Sequence, residues 1–352
     1  MTQHKPINTA ILSYGMSGEI FHSPLLTVHN GFRLSKILER SKDKAGLRYP
    51  EVQVVRTFEE IITDTDIELV IVNTPHDSHY DLTKRVLESG KHAVVEKPFV
   101  TSFGEGSRLI ELARTRGKVL SVFHNRRWDG DSKTVQKVIE DGVLGPLVEF
   151  EAHYDRYRPA VDHTTWKESM GPGGGIVYNL GSHLIDQALD LFGMPQSLSA
   201  ITGVQREGGQ SDDYYDIHLY YKNHQVILKS SYLVREPGPR FILHGVNGSF
   251  IKYGIDPQEQ ALKDGGKPGS EGWGVDAEEN WGMVNTQIGS LHYKGRIETY
   301  QGNYLGFYDN IYTAIREGGD LAVKPEQALD VIKIIEAVMQ SSKEGQTIYF
   351  QS

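Results

Sequence analysis

The sequence predicts an α/β protein: an N-terminal Rossmann-type domain with a doubly wound parallel sheet, then an α+β domain with a large, mainly antiparallel open sheet. Three observations predict it. The first third alternates short apolar runs with amphipathic stretches, the rest carries longer strand-like runs divided by turn signals, and 352 residues suit two domains of ordinary size. Strands separated by helices imply βαβ units, and right-handed crossovers make double winding the simplest topology.

The elements follow in order. Apolar runs at 10–14, 34–38, 69–73, 93–96 and 119–123 read as strands of the first sheet. Amphipathic stretches at 79–89 and 103–116 lie between them, the second stopped by Gly117. Beyond residue 124 the strands are 147–155, 198–206, 214–221, 225–234 and 240–245. Gly208-Gly209, Asn223-His224, Pro237-Gly238-Pro239 and Asn247-Gly248 mark the turns. One helical stretch, 175–192, interrupts them. Residues 256–280, rich in Gly, Asp and Glu, read as an excursion over the surface. A final helix over 325–341 presents Ala328, Val331, Ile332, Ile335 and Val338 on one face. The expected division is a dinucleotide-binding domain, 1–124, and a substrate-binding and oligomerisation domain, 125–352.

Composition narrows the function. Hydrophobic residues at 38% support packed cores, and a net charge of −9 argues against nucleic acid or an anionic membrane as the main partner. With no cysteine there is no disulfide scaffold, thiolate nucleophile, Fe–S cluster or Cys-type zinc site. The N-terminus has no signal-peptide pattern and no apolar run approaches the roughly 18 residues of a membrane span, so a cytoplasmic protein is expected. The 37 glycines and 18 tyrosines are somewhat many.

Three segments carry chemistry. The first is Ser13-Tyr14-Gly15-Met16-Ser17-Gly18, between the first strand and the first helix. Gly15 and Gly18 match the second and third glycines of the dinucleotide fingerprint, and Ser13 replaces the first. Backbone N–H groups through Met16 and Ser17 would hold a pyrophosphate at the helix N-terminus. An ordinary glycine-containing turn is the alternative. After the second strand, Glu39 suits the ribose hydroxyls of NAD and gives NAD a slight edge, while Arg40 and Ser41 suit the 2′-phosphate of NADP. The second segment, Glu96-Lys97-Pro98, puts a lysine at the carboxyl end of a buried strand, where open α/β sheets bind ligands. Such a lysine can stabilise a developing alkoxide; a surface lysine at a strand end is the plain alternative. In the third, Asn179, His183, Asp186 and Asp190 form one polar stripe on a helix, with Leu180, Leu184, Ala188 and Leu191 on an apolar face. Gly181 would allow close approach to the backbone. His183 suits proton transfer, against a solvated helix face as the alternative. His76-Asp77-Ser78-His79 has a spacing open to a metal, but no metal site is expected.

Together these residues resemble the glucose-fructose oxidoreductase/inositol dehydrogenase/rhizopine catabolism (Gfo/Idh/MocA) family over essentially the whole chain. The resemblance rests on the Gly15/Gly18 loop, Asn73-Thr74-Pro75 with His79, Glu96-Lys97-Pro98 and Gly181-Ser182-His183-Leu184-Ile185-Asp186. Further segments look closest to bacterial scyllo-inositol dehydrogenases: 124–129, Tyr157-Arg158-Pro159, Gly238-Pro239-Arg240 and 250–256. The resemblance implies a nicotinamide cofactor, NAD or NADP, a cyclitol or sugar substrate, and a homodimer or homotetramer using the open sheet face. It implies cofactor contacts from Thr74, Pro75, His76, His79, Glu96, Lys97 and Asn125. It also implies that Lys97 and His183 flank the reacting carbon, with Asn179 where the family usually has Asp. Substrate contacts are expected from Lys97, Arg127, Tyr154, Tyr157, Arg158, Trp166, Asn179 and His183. The expected activity is hydride transfer between NAD(P) and a secondary alcohol. The alternatives are a keto- or anhydro-sugar reductase and a non-catalytic NAD(P)-binding regulator.

Overall fold

The computed structural model describes residues 5–165, 168, 171 and 173–350. They fall into two compact units. The first holds 1–128, 258–273 and 303–329; the second holds 129–257, 274–302 and 330–352.

In the first unit, among the described residues, six strands form one sheet: β1 (Ile7–Ile11), β2 (Phe32–Leu38), β3 (Gln53–Val55), β4 (Leu69–Val72), β5 (His92–Val95) and β6 (Leu120–Val122). Their order is β3-β2-β1-β4-β5-β6 and every pair is parallel. This is the order of a dinucleotide-binding sheet, with the topological switch between β1 and β4. Central strands buried on both faces read as unbroken apolar runs; all four residues of β4 are 0% exposed. β1 starts three residues before the expected run because Ile7 already pairs with Phe32, which leaves 12–14 to lead into the turn. β3 escaped the pattern because it is three residues long and begins exposed.

Residues 256–280 are mostly exposed, as a surface excursion would be, but buried side chains pin them. Helix Gln258–Lys263 begins at a buried glutamine whose Oε1 accepts from Trp273 Nε1 at 3.0 Å and from the Tyr304 N–H at 2.7 Å, and whose Nε2 donates to Trp128 O at 3.2 Å. A handful of buried anchors, Gln258, Leu262 and Trp273, holds a segment whose average composition is polar. Helix Leu305–Arg316, also absent from the sequence reading, brings Phe307 to within 4.9 Å of Phe123, ring centre to ring centre. Part of the tyrosine excess is placed here: Tyr304 and Tyr308 are wholly buried.

The second unit carries β7 (Leu147–His153), β8 (Ser197–Gly203), β9 (Tyr214–Tyr220), β10 (Gln225–Ser231), β11 (Phe241–Gly245), β12 (Gly248–Lys252), β13 (Gly282–Ile288), β14 (Leu291–Ile297) and β15 (Ile348–Tyr349). Among the described residues they make one nine-stranded sheet, β14-β13-β12-β11-β7-β10-β9-β8-β15. It is antiparallel except for the parallel β7–β10 pair. β9 alternates strictly, with Tyr215, Ile217 and Leu219 buried, which marks one covered face and one open face. β13 and β14 were not foreseen because most of their side chains are exposed. Buried Lys252 ties β12 to the chain before β13, donating to Asp276 Oδ2 at 2.6 Å and to the Asn280 carbonyl at 2.8 Å. The last helix, Pro325–Glu344, buries all five residues of the expected face. Among the described residues no helix is long and apolar enough to cross a membrane.

His92 on β5 gives the fold a titratable weak point. Its Nδ1 accepts the Val119 N–H at 2.9 Å. Burial, helped by the Lys118 charge, pushes its pKa down to about 4 from an ordinary 6.5. An unfolded chain takes up this proton first as pH falls. The stability is therefore full above pH 6.5 and is lost down through pH 4, about 3 kcal/mol in all. His92→Asn keeps an acceptor and cannot titrate. Melting temperatures measured across this window should fall less steeply for the variant than for the wild type; equal slopes would contradict the assignment.

Candidate active site

β1 leads through residues 12–14 into the first turn. The Gly15 N–H donates to Ser13 Oγ at 3.1 Å, so the serine in the first glycine's place folds its hydroxyl back on the loop. A Cβ on Gly18 would lie 2.1 Å from Ser13 O and 2.9 Å from Asn73 Nδ2, so no side chain fits there. Asn73, just past β4, donates to Ser13 O at 2.8 Å and to Ser17 Oγ at 3.3 Å and fastens the turn across the topological switch. In the sequence Asn73 stands out only as part of Asn73-Thr74-Pro75. Gly18–His22 then forms a wide π-helical turn that continues into helix Ser23–Val28. The Cβ-free approach at Gly18 and the helix N-terminus beside it fit a pyrophosphate. Met16 is exposed at the turn.

At the end of β2, the Glu39 carboxylate is nearly buried and accepts the Ala45 N–H at 2.8 Å. Arg40 and Ser41 are exposed. Arg56, which the sequence reading missed, donates to Glu39 O at 2.8 Å and to Lys42 O, so it braces the same loop.

The loops after β4 and β5 are tied together. Thr74 Oγ1 lies 2.7 Å from Ser78 Oγ, which donates to Pro75 O at 2.6 Å. His79 is wholly buried, with Nδ1 2.9 Å from Pro98 O and Nε2 2.9 Å from Thr74 O. Burial pushes its pKa down, so the neutral ring donates to one of these carbonyls at a time. His79 therefore staples the Thr74 loop to the Pro98 corner. His76 packs edge-on against it, the ring centres 5.6 Å apart. Among the described residues no three His, Asp or Glu side chains stand in a metal-binding group. At the corner, the Glu96 carboxylate takes the Lys97 N–H at 3.1 Å on one oxygen and faces His22 Nε2 at 3.0 Å on the other. Asn125, after β6, is buried. Arg127 donates to Ala322 O at 3.0 Å and Gln327 Oε1 at 3.3 Å. The unit thus gathers Ser13, Gly15, Gly18, Thr74, Glu96, Lys97 and Asn125 at the carboxyl edge of its sheet, with Glu39, Arg40 and Ser41 at the end of β2.

His183 belongs to the second unit. Its helix is prepared by Gly175, at φ +88°, where a Cβ would lie 2.1 Å from Asp212 Oδ1. Asp212 Oδ2 accepts the Val177 N–H at 2.8 Å, and burial pushes this carboxyl up to about 6. A second π-helical turn, Val177–Gly181, opens helix Ser182–Phe192; such turns recur at functional sites. The polar stripe is not solvated. His183 and Asp186 are buried and Asn179 half-buried, and only Asp190 of the four is exposed. Gly181 is not a close-approach point, since its would-be Cβ meets Tyr215 at an ordinary 3.5 Å. Asn179 Nδ2 donates to Tyr232 OH at 3.4 Å. Tyr154, wholly buried, has its ring centre 6.0 Å from that of His183, and the Arg240 guanidinium lies over the Tyr154 ring at 4.3 Å. Tyr157 is half-exposed under Arg235, and Arg158 lies over Tyr232. Trp166 lies outside the described residues. A lysine and a buried histidine are proton-handling groups that need neither thiol nor metal.

Comparison with known proteins bears on these two units directly. Residues 7–124 match the model of an oxidoreductase family, NAD-binding Rossmann fold, and residues 136–350 match that of an oxidoreductase family, C-terminal alpha/beta domain. A Bacillus subtilis protein named scyllo-inositol 2-dehydrogenase (NADP(+)) IolW is 44% identical, covering 98% of this chain and 96% of that protein. The oxidoreductase YdgJ of Escherichia coli, uncharacterized, is 39% identical over 97% of this chain and 98% of its own. Among solved structures, yvaA of Bacillus subtilis superposes with a TM-score of 0.95 at 44% identity, covering 98% of both chains. An oxidoreductase from Bacillus cereus gives 0.91 at 33% identity, covering 98% of this chain and 99% of its own. With both halves matched in sequence and the whole chain in fold, the protein belongs to the Gfo/Idh/MocA oxidoreductase family.

Proposed function

We propose that this protein is an NADP-dependent dehydrogenase that oxidises a secondary hydroxyl of a cyclitol of the scyllo-inositol kind. The observation that carries the reading is Lys97 at the carboxyl edge of β5, on the same sheet edge as the Gly18 turn. A buried histidine on the second unit's polar stripe and a relative named for this activity support it.

NADP is preferred over NAD because the Glu39 carboxylate is nearly buried and already accepts the Ala45 N–H on one oxygen. Arg40 and Ser41 remain exposed for a 2′-phosphate. When bound, the nicotinamide supplies a hydride acceptor. The chain's residues do the rest. The Gly15–Gly18 turn holds the pyrophosphate. His183 takes the hydroxyl proton as general base, and the Lys97 ammonium stabilises the negative charge that develops on the oxygen. Asn179 orients its surroundings without adding charge, so the imidazolium formed at His183 is less favoured than beside an Asp. In the reverse direction His183 returns a proton to the alkoxide. Copies of the chain pair through the open face of the nine-stranded sheet, where Ile201 and Met283 are exposed.

Two tests apply. Absorbance of reduced nicotinamide should rise with scyllo-inositol and NADP, with kcat/KM about tenfold or more above that with NAD. Turnover restricted to keto-sugars, or coenzyme binding without turnover of any polyol, would overturn the reading. Lys97→Ala and His183→Ala should each lower kcat roughly 100- to 10,000-fold. Near-wild-type rates in both would remove their assigned roles.

A further inference from the structure

We infer that His22, backed by Tyr308, is a positioning residue that holds the Glu96 carboxylate fixed beside Lys97. The inference rests on the proposed role of Lys97. His22 closes the π-helical turn that Gly18 opens, and it is wholly buried. Its Nδ1 lies 2.6 Å from Tyr308 OH and its Nε2 3.0 Å from Glu96 Oε1. Burial, and secondarily the Glu96 charge, hold the Tyr308 pKa well above its ordinary value, so the hydroxyl keeps its proton. The Nε2–H donates to the Glu96 carboxylate, Nδ1 pairs with the protonated Tyr308 hydroxyl, and the second Glu96 oxygen receives the Lys97 N–H at 3.1 Å. Both ring nitrogens of His22 are partnered. One side chain thus connects the phosphate turn to the lysine corner.

The charge on Glu96 is the point of this arrangement. Burial alone raises a carboxyl pKa, yet that of Glu96 is held below the ordinary range. Burial is the largest single influence and raises it, but the His22 hydrogen bond and the charges at His22, Lys97 and His79, in that order, together bring it lower. The groups facing Glu96 are His22 from the first helix, His79 from helix His79–Glu88, Lys97 beside it, and Tyr308 through His22. Attraction between Glu96 and Lys97 is mutual, so an ionised, immobile Glu96 favours a charged, aimed Lys97. A histidine that only filled space would set stability and leave the pH response of turnover unchanged.

The experiment compares kcat, coenzyme KM, the pH profile of kcat/KM and melting temperature. It uses the full-length wild type, His22→Leu, His22→Gln, Tyr308→Phe and Lys97→Ala, with NADP and whichever polyol turns over. His22→Leu should lower kcat about tenfold, with coenzyme KM within about twofold, and shift the alkaline limb down by about half a pH unit or more. His22→Gln, whose amide can donate to Glu96, should restore most of both, and Tyr308→Phe should show a smaller shift in the same direction. If His22→Leu does not fold, Tyr308→Phe and His22→Gln decide by the same limb. A wild-type profile in every His22 and Tyr308 variant that folds, with Lys97→Ala inactive, overturns this inference alone. An active Lys97→Ala overturns the reading of Lys97 and this inference with it.

Discussion

The absence of one Cβ governs the first unit. At Gly18 the helix backbone meets the carbonyl of Ser13 so closely that a methyl group would sit 2.1 Å from the oxygen. The Asn73 amide closes the contact from β4. This packing sets where the first helix begins, hence where its leading N–H groups point. It also sets where His22, four residues on, enters the core. Helix start, loop and lysine corner are parts of one packed arrangement, and a displacement at the turn has no slack to absorb it.

Buried polar side chains do the remaining alignment in both units. Gln258 joins Trp128, Trp273 and Tyr304 in the first, and Lys252 joins Asp276 and Asn280 in the second. Each would be costly to bury alone, and each is satisfied by several partners, so removing any partner leaves an unpaired group. Such networks specify one arrangement of irregular chain where apolar packing would tolerate several. That suits a protein whose candidate chemistry lies on loops and helix starts.

How legible the molecule was depended on how local the cause was. The parallel sheet was readable because buried strands such as β4 are unbroken apolar runs, and the last helix because its apolar residues repeat at the helical period. The tight turn after β1 was readable from Gly15 and Gly18. Distant causes were not. Residues 256–280 look like surface by composition, yet Gln258 and Trp273 find their partners near Trp128 and Tyr304. β14 has no buried residue, and the buried positions of β13 are Gly282, Val284 and Thr286, of which only Val284 is strongly apolar. The polar stripe of the His183 helix left a solvated face open as an alternative, and the chain buries His183 and Asp186 of that stripe while Asp190 stays exposed. Gly181 suggested a close approach that belongs instead to Gly175. Asn73, Arg56 and His22 act through partners 60, 17 and 74 positions away, and spacing along a sequence carries no signal for such pairs.

The central claim is that the Gly15–Gly18 turn is a dinucleotide-phosphate cradle. It is tested most directly by hydrogen exchange of the wild-type backbone with and without NADP. The account predicts that NADP slows exchange of the amides at 15–18, with a second protected patch at 39–42, while the open face of the nine-stranded sheet exchanges as before. Unchanged exchange at 15–18 under saturating NADP would contradict it.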